Sequence, residues 1–255
     1  MSRCRFDLHV GIDYSGASTV TRRQSGLQLC VSSPDGVVAV PPPEPKRTRW
    51  TRKGIAAFLL DLCRQDATVI IGIDHALSFP QSYFDRTQLA DWNTFLADFC
   101  AHWPTHLGGN TVQALREGNP RSDSPDELRL TERWTSSAKS VFRFDVQGQF
   151  TNSTHAALPW VAYLREQLGD RLHLWPFDGW SVPTGKHALV EVYSSIFRNR
   201  YPHDGRTIDQ QDAYSAARWL SEVDAGGRLE HYLNPPLSAD EASQARREGW
   251  IIGIT

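Results

Sequence analysis

Three apolar segments of the chain each end in a carboxylate. Gly11-Ile12-Asp13 closes the first, Gly72-Ile73-Asp74 the second and Leu189-Val190-Glu191 the third. A fourth carboxylate, Asp212, follows Asp209 at a spacing of three, which puts both on one face of a helix. Carboxylates brought together repel one another unless something neutralises them. A hard divalent cation does so, and Mg²⁺ prefers oxygen ligands. Two such ions about 4 Å apart activate a water and stabilise the leaving oxygen of a phosphodiester. Asp13, Asp74, Glu191 and Asp212 are therefore the candidate catalytic and metal-binding residues, for Mg²⁺ or Mn²⁺. Each has a plainer reading on its own, as the cap of a turn or of the next helix.

The elements that must position these groups form an α/β pattern. Residues 6–13 alternate and then turn apolar, which predicts a strand. A second strand is expected over about 25–32 and a third over about 37–40, joined by the hairpin signal Pro34-Asp35-Gly36. Thr51 reads as the N-cap of a helix running to about Cys63, with Ile55, Phe58, Leu59 and Leu62 on one face. Residues 67–74 are a continuous apolar run, the mark of a strand covered on both faces. From Pro80 to about Gly185 the pattern is irregular. Helices are expected near 86–101 and 155–168, and the polar stretch between 104 and 154 includes a turn at Gly148. A strand over 187–192, helices over about 207–224 and 238–248, and a closing strand over 250–254 complete the order. The expectation is a mixed sheet, three antiparallel strands followed by helix-linked strands. It forms a single domain over residues 1–255, with a large, mostly helical insertion over about 80–185 serving as a lid or substrate-binding element. Ligands of such a sheet bind at the carboxyl ends of its strands.

The succession GIDYSGA, VIIGIDHALSFP, ALVEVYSS and DQQDAYSAARWL resembles a bacterial domain-of-unknown-function family of predicted ribonuclease H-like nucleases. LWPFDGW and the closing EGWIIG add to the resemblance, which spans nearly the whole chain and is weak between about 84 and 154. It implies a ribonuclease H-like fold and a metal-dependent nuclease, with Asp13 as the central ligand and Asp74, Glu191 and Asp212 completing the site. His75 and Ser194 depart from the family's pattern, and neither departure removes a carboxylate.

Other residues have two readings each. Arg49 and its basic neighbours surround Trp50, a pattern suited to phosphate contact and base stacking, or to a solvated loop with Trp50 capping the core. Lys139 and Arg143 would reach a phosphate near the carboxylates, or are surface charge. Ser15 stands in the turn after Asp13 as a further substrate-binding candidate. Trp175, Phe177 and Trp180 form a base platform or a hydrophobic plug. His102 and His106 have ligand spacing, but Trp103-Pro104 between them argues against a continuous helix. His75, beside Asp74, is a packing residue or an acid-base group.

The 255 residues carry a net charge of −2 and 40% hydrophobic residues, so bulk charge points neither to nucleic acid nor to a membrane. No run nears the roughly 18 apolar residues of a membrane span. The opening residues lack the apolar core of a secretory signal, and a cytoplasmic protein is expected. Cys4, Cys30, Cys63 and Cys100 have no zinc or redox spacing and read as buried thiols. Three functions follow. The first is a divalent-metal-dependent nuclease acting on nucleic acid. The second is a non-catalytic ribonuclease H-like binding or scaffold protein. The third is an actin-like or sugar-kinase-type phosphotransferase, suggested by Asp13 and the Ser-Gly turn after it, for which the chain is short.

Overall fold

The computed structural model describes residues 4–121, 125–135, 138–144 and 150–255. Among the described residues, six strands form one sheet: β1 (Leu8–Asp13), β2 (Gln28–Ser33), β3 (Gly36–Ala39), β4 (Val69–Asp74), β5 (Leu172–Leu174) and β6 (His187–Glu191). Helix α1 (Arg52–Cys63) joins β3 to β4. Helices α2 (Gln81–Thr87), α3 (Trp92–His102), α4 (Val112–Arg116), α5 (Leu130–Arg133) and α6 (Phe150–Leu168) lie between β4 and β5. Helices α7 (Ile208–Ala225), α8 (Leu229–Leu233) and α9 (Ala239–Glu248) follow β6.

The strand order is β3-β2-β1-β4-β6-β5. β1, β2 and β3 pair antiparallel, while β4 is parallel to β1 and β6 is parallel to both β4 and β5. The expected α/β sheet, an antiparallel hairpin series extended by helix-linked strands, is therefore present. β5 went unforeseen because three residues carry too little alternation to be read. The expected closing strand is reduced to a single bridge between Ile251 and Glu191. The helix expected near 86–101 is broken, because Gln88 takes a left-handed conformation (φ 56°) and Asp91 starts a new capping box with Thr94. The expected turn at Gly148 lies outside the described residues.

Both faces of the sheet are covered. Val10, Ile12, Ile71 and Ile73 point to one side, into a core shared with Ile55 and Leu59 of α1 and Val161 and Leu164 of α6. Ile70, Ala188 and Val190 point to the other, against Ala216, Trp219 and Leu220 of α7. Two glycines allow α7 to lie so close. A Cβ on Gly11 would stand 2.2 Å from the Ala213 carbonyl oxygen and 2.4 Å from the Ala217 nitrogen. Gly72, its register partner on β4, faces Leu220 of the same helix. Small residues on the helix, Ala213, Ala216 and Ala217, complete the fit. Both glycines stand two residues before an aspartate, and side chains two apart share a face. The Gly-x-Asp spacing therefore points Asp13 and Asp74 toward α7.

Candidate metal centre

Asp13 and Asp74 are direct register partners at the carboxyl ends of β1 and β4. Asp212 comes to them from the second turn of α7. Thr207 caps that helix: its hydroxyl accepts from the Gln210 N–H, and the Gln210 side chain accepts from the Thr207 N–H. Each of Asp13, Asp74 and Asp212 offers a carboxylate oxygen within 4.8 Å of the others, a geometry that can hold a metal ion. Asp209, one turn earlier on α7, lines the same cleft.

The electrostatics show how crowded the negative charge is. The Asp13 carboxyl is held well above the usual carboxylate range by burial, then by Asp74, Asp209 and Asp212, with Arg198 pulling the other way. Asp74 is pushed up to about 7, chiefly by burial and also by Asp212 and Glu191, against a stabilising hydrogen bond from the Ser194 N–H. Burial and Asp212 raise Asp209. A cation among these oxygens would relieve the repulsion. One is already close: Arg198 donates from Nε and Nη2 to the two oxygens of Asp212, both at 2.6 Å. Arg198 sits in a single turn of 3₁₀ helix after β6 and carries no sequence signal for this role.

The carboxylates form the floor of a cleft of about 640 Å³. Ser15, Arg22, Arg23, Arg49, Ser153 and Arg198 stand among its wall residues. Two expected substrate-binding residues, Ser15 and Arg49, are thus at the cleft. Arg22 and Arg23 join them without having been singled out, although they lie adjacent in sequence.

No protein-family model, curated protein or solved structure matches the chain.

Several expected site residues lie elsewhere. Glu191 does not join the three aspartates. Its register partner on β4 is Ile73, one residue short of Asp74, so its side chain emerges on the opposite face of the sheet. There it is fully buried and bound by Arg129 through Nη1 (2.8 Å) and Nη2 (2.6 Å), and it accepts the Leu77 N–H at 3.2 Å. Arg129 also donates to Glu132 and to the Glu248 carbonyl. Burial works against the charge of Arg129, but Glu132 and Glu191 outweigh it and raise its pKa. Glu191 thus ties the segment after β4 to the end of α9.

Trp50 is not a stacking platform. It is 2% exposed, donates its indole N–H to the Val40 carbonyl at 2.8 Å and meets Phe58 edge-on. Lys139 and Arg143 are exposed and lie outside the cleft wall. Trp175 and Phe177 are buried, the latter stacked on Trp92 at 4.2 Å, and they plug the core rather than present a platform. His75 is buried beneath Tyr14, its pKa pushed down to about 4 by burial, which marks it as a neutral packing group. α3 ends at His102, as the intervening proline requires. All four thiols are free; Cys30 and Cys63 are buried as expected, but Cys4 is exposed and Cys100 half-buried. Among the described residues, no helix is long and apolar enough to cross a membrane.

Proposed function

We propose that this protein is a divalent-metal-dependent phosphodiesterase acting on nucleic acid. One observation carries the reading: three carboxylates from β1, β4 and α7 converge within 4.8 Å at the floor of an open cleft whose wall carries arginines. The donor set is all oxygen, which suits Mg²⁺ or Mn²⁺ over softer metals. The β3-β2-β1-β4-β6 order, with the last ligand on the helix after β6, supports a ribonuclease H-like arrangement.

Bound there, the cation would supply Lewis acidity, activating a water and steadying the leaving oxygen. Asp13, whose carboxyl is crowded by Asp74, Asp209 and Asp212, would hold the cation together with Asp74 and Asp212. Asp74 is positioned by the Ser194 N–H, and Asp212 by α7. Arg22, Arg23 and Arg49 at the wall suit a polyanionic backbone, whose phosphates basic side chains neutralise.

The test is calorimetric titration of Mn²⁺ into the wild type, Asp13→Asn and Asp74→Asn. The expected result is saturable binding that both substitutions weaken, followed by metal-dependent cleavage on a panel of DNA, RNA and junction substrates. Absence of binding up to millimolar metal would sink the reading. It would favour a non-catalytic binding protein, for which the Arg198–Asp212 pair is the specific support: the site would then be neutralised from within.

A further inference from the structure

Arg198 acts on the whole acidic floor. Its charge lowers Asp13 and Asp209, and Asp212, Asp74 and Asp13 in turn favour its charged form. Nε and Nη2 engage both oxygens of Asp212, and among the described residues Nη1 has no hydrogen-bond partner. The Asp212 side chain is 6% exposed and that of Arg198 33%, and both line the cleft.

The backbone of Arg198 is locked to α7. Gln211, fully buried and next to Asp212, donates from Nε2 to the carbonyls of Arg198 and Tyr201, both at 3.0 Å. Phe197 stacks on Trp219 at 4.2 Å. A change of partner at Arg198 is therefore a rotation of its side chain over a fixed turn. The arginines from elsewhere in the wall are placed differently. Arg23 is engaged by the Arg49 carbonyl at 2.8 Å and by Glu44 at 3.1 Å, and Arg22 and Arg49 are exposed.

A carboxylate has lone pairs enough for two partners, but a dication and a guanidinium on one buried carboxylate repel each other. Asp212 therefore cannot hold a divalent cation and keep Arg198 at no cost. A guanidinium released from a carboxylate fits a phosphate equally well, because the same fork of N–H groups matches both.

We propose that Arg198 is a substrate-phosphate ligand held in reserve, paired with Asp212 while the site is metal-free and released to a phosphate oxygen of the substrate when Asp212 turns to a divalent cation. This role rests on the metal-dependent reading of the site and adds to it an order of binding, metal before phosphate.

The probes are Mn²⁺, Mg²⁺ and a phosphorothioate-linked dithymidine dinucleotide, which resists hydrolysis, titrated into the full chain. Arg198→Met is expected to weaken dinucleotide binding about tenfold or more at saturating Mn²⁺, and to leave it unchanged without metal. Arg198→Lys, which keeps the charge but not the fork, is expected to recover part of the loss. In NMR spectra of the wild type, the Arg198 Nε–H resonance, identified by its absence from Arg198→Lys, is expected to shift when Mg²⁺ saturates the site and again when the dinucleotide is added. A loss of dinucleotide affinity of equal size with and without metal overturns the release from Asp212. Equal affinity of variant and wild type at saturating Mn²⁺ overturns the phosphate contact. Mn²⁺ binding that Asp13→Asn abolishes, with an Nε–H resonance that Mg²⁺ does not move, leaves the metal centre standing and removes only this role of Arg198. A wild type that binds no metal overturns both.

Discussion

Asp13 and Asp74 sit opposite each other on adjacent parallel strands, in register, and both point at α7. Burial raises the pKa of both carboxyls; Asp74 raises Asp13 further, and Asp212 and Glu191 raise Asp74. Asp74 binds its proton near pH 7 when folded and near 4 when unfolded. Between those values the folded state holds more protons, so stability without metal falls as pH rises from about 4 to about 7. Asp74→Asn removes the strained charge. It is expected to stabilise the metal-free protein at pH 7.5 by about 1–3 kcal/mol. Urea unfolding at pH 5 and pH 7.5 checks this: a variant less stable than the wild type at pH 7.5 contradicts it.

Protons and metal compete for the same oxygens. The Mn²⁺ affinity is expected to fall as pH drops below about 7, where Asp74 takes up its proton. Added Mn²⁺ is expected to raise the Tm at pH 7.5, and EDTA to reverse it. Titrations at pH 6 and pH 8 that give equal Kd values would count against the cluster as the binding site.

Arg198 and a metal both claim Asp212. Arg198→Met is expected to tighten Mn²⁺ binding several-fold, because a competing positive charge leaves. It is also expected to raise the pKa of Asp13, which Arg198 holds down. Weaker binding in the variant would assign Arg198 a supporting rather than a competing role.

Gly11 decides how near α7 can approach β1. Gly11→Ala places a Cβ 2.2 Å from a helix carbonyl, with backbone on the other side of the clash. The expected cost is at least about 2 kcal/mol, with weakened Mn²⁺ binding as Asp212 is pushed away. Gly108, where a Cβ meets nothing within 4 Å, is the control, and Gly108→Ala is expected to stay within about 0.5 kcal/mol of the wild type. Thermal melts of the two variants side by side make the comparison, and equal melts would show that α7 is free to yield.

Glu191 holds structure where a ligand was expected. Glu191→Ala leaves Arg129 buried with half its counter-charge gone and is expected to cost about 3–5 kcal/mol. Glu191→Gln keeps the shape and part of the hydrogen bonding, and is expected to leave the Mn²⁺ Kd within a few-fold of the wild type. A loss of metal binding in that folded variant equal to that of Asp13→Asn would place Glu191 back among the ligands.

Much of this site was legible in one dimension, for local reasons. Apolar runs ending in Gly-Ile-Asp set both the strands and the place of the carboxylates. The Asp209–Asp212 spacing on a capped helix set a third position. The hairpin at Pro34-Asp35 and the Thr51 cap are also local signals, and both are seen in the structure. The remainder depended on distance along the chain. Pairing β6 to β4 at Ile73 rather than Asp74 turns Glu191 to the other face, and a side-chain period of two makes that one-residue difference decisive. Its partner Arg129 is 62 residues away, and no spacing rule spans such a gap. Trp50 stands among basic residues in sequence but is buried in space, because the β3–α1 connection folds it onto Phe58. Propensity and short-range pattern act between neighbours, and so the sequence by itself determined which elements end in acid. Register and packing act between segments far apart, and they alone decided which of those acids meet.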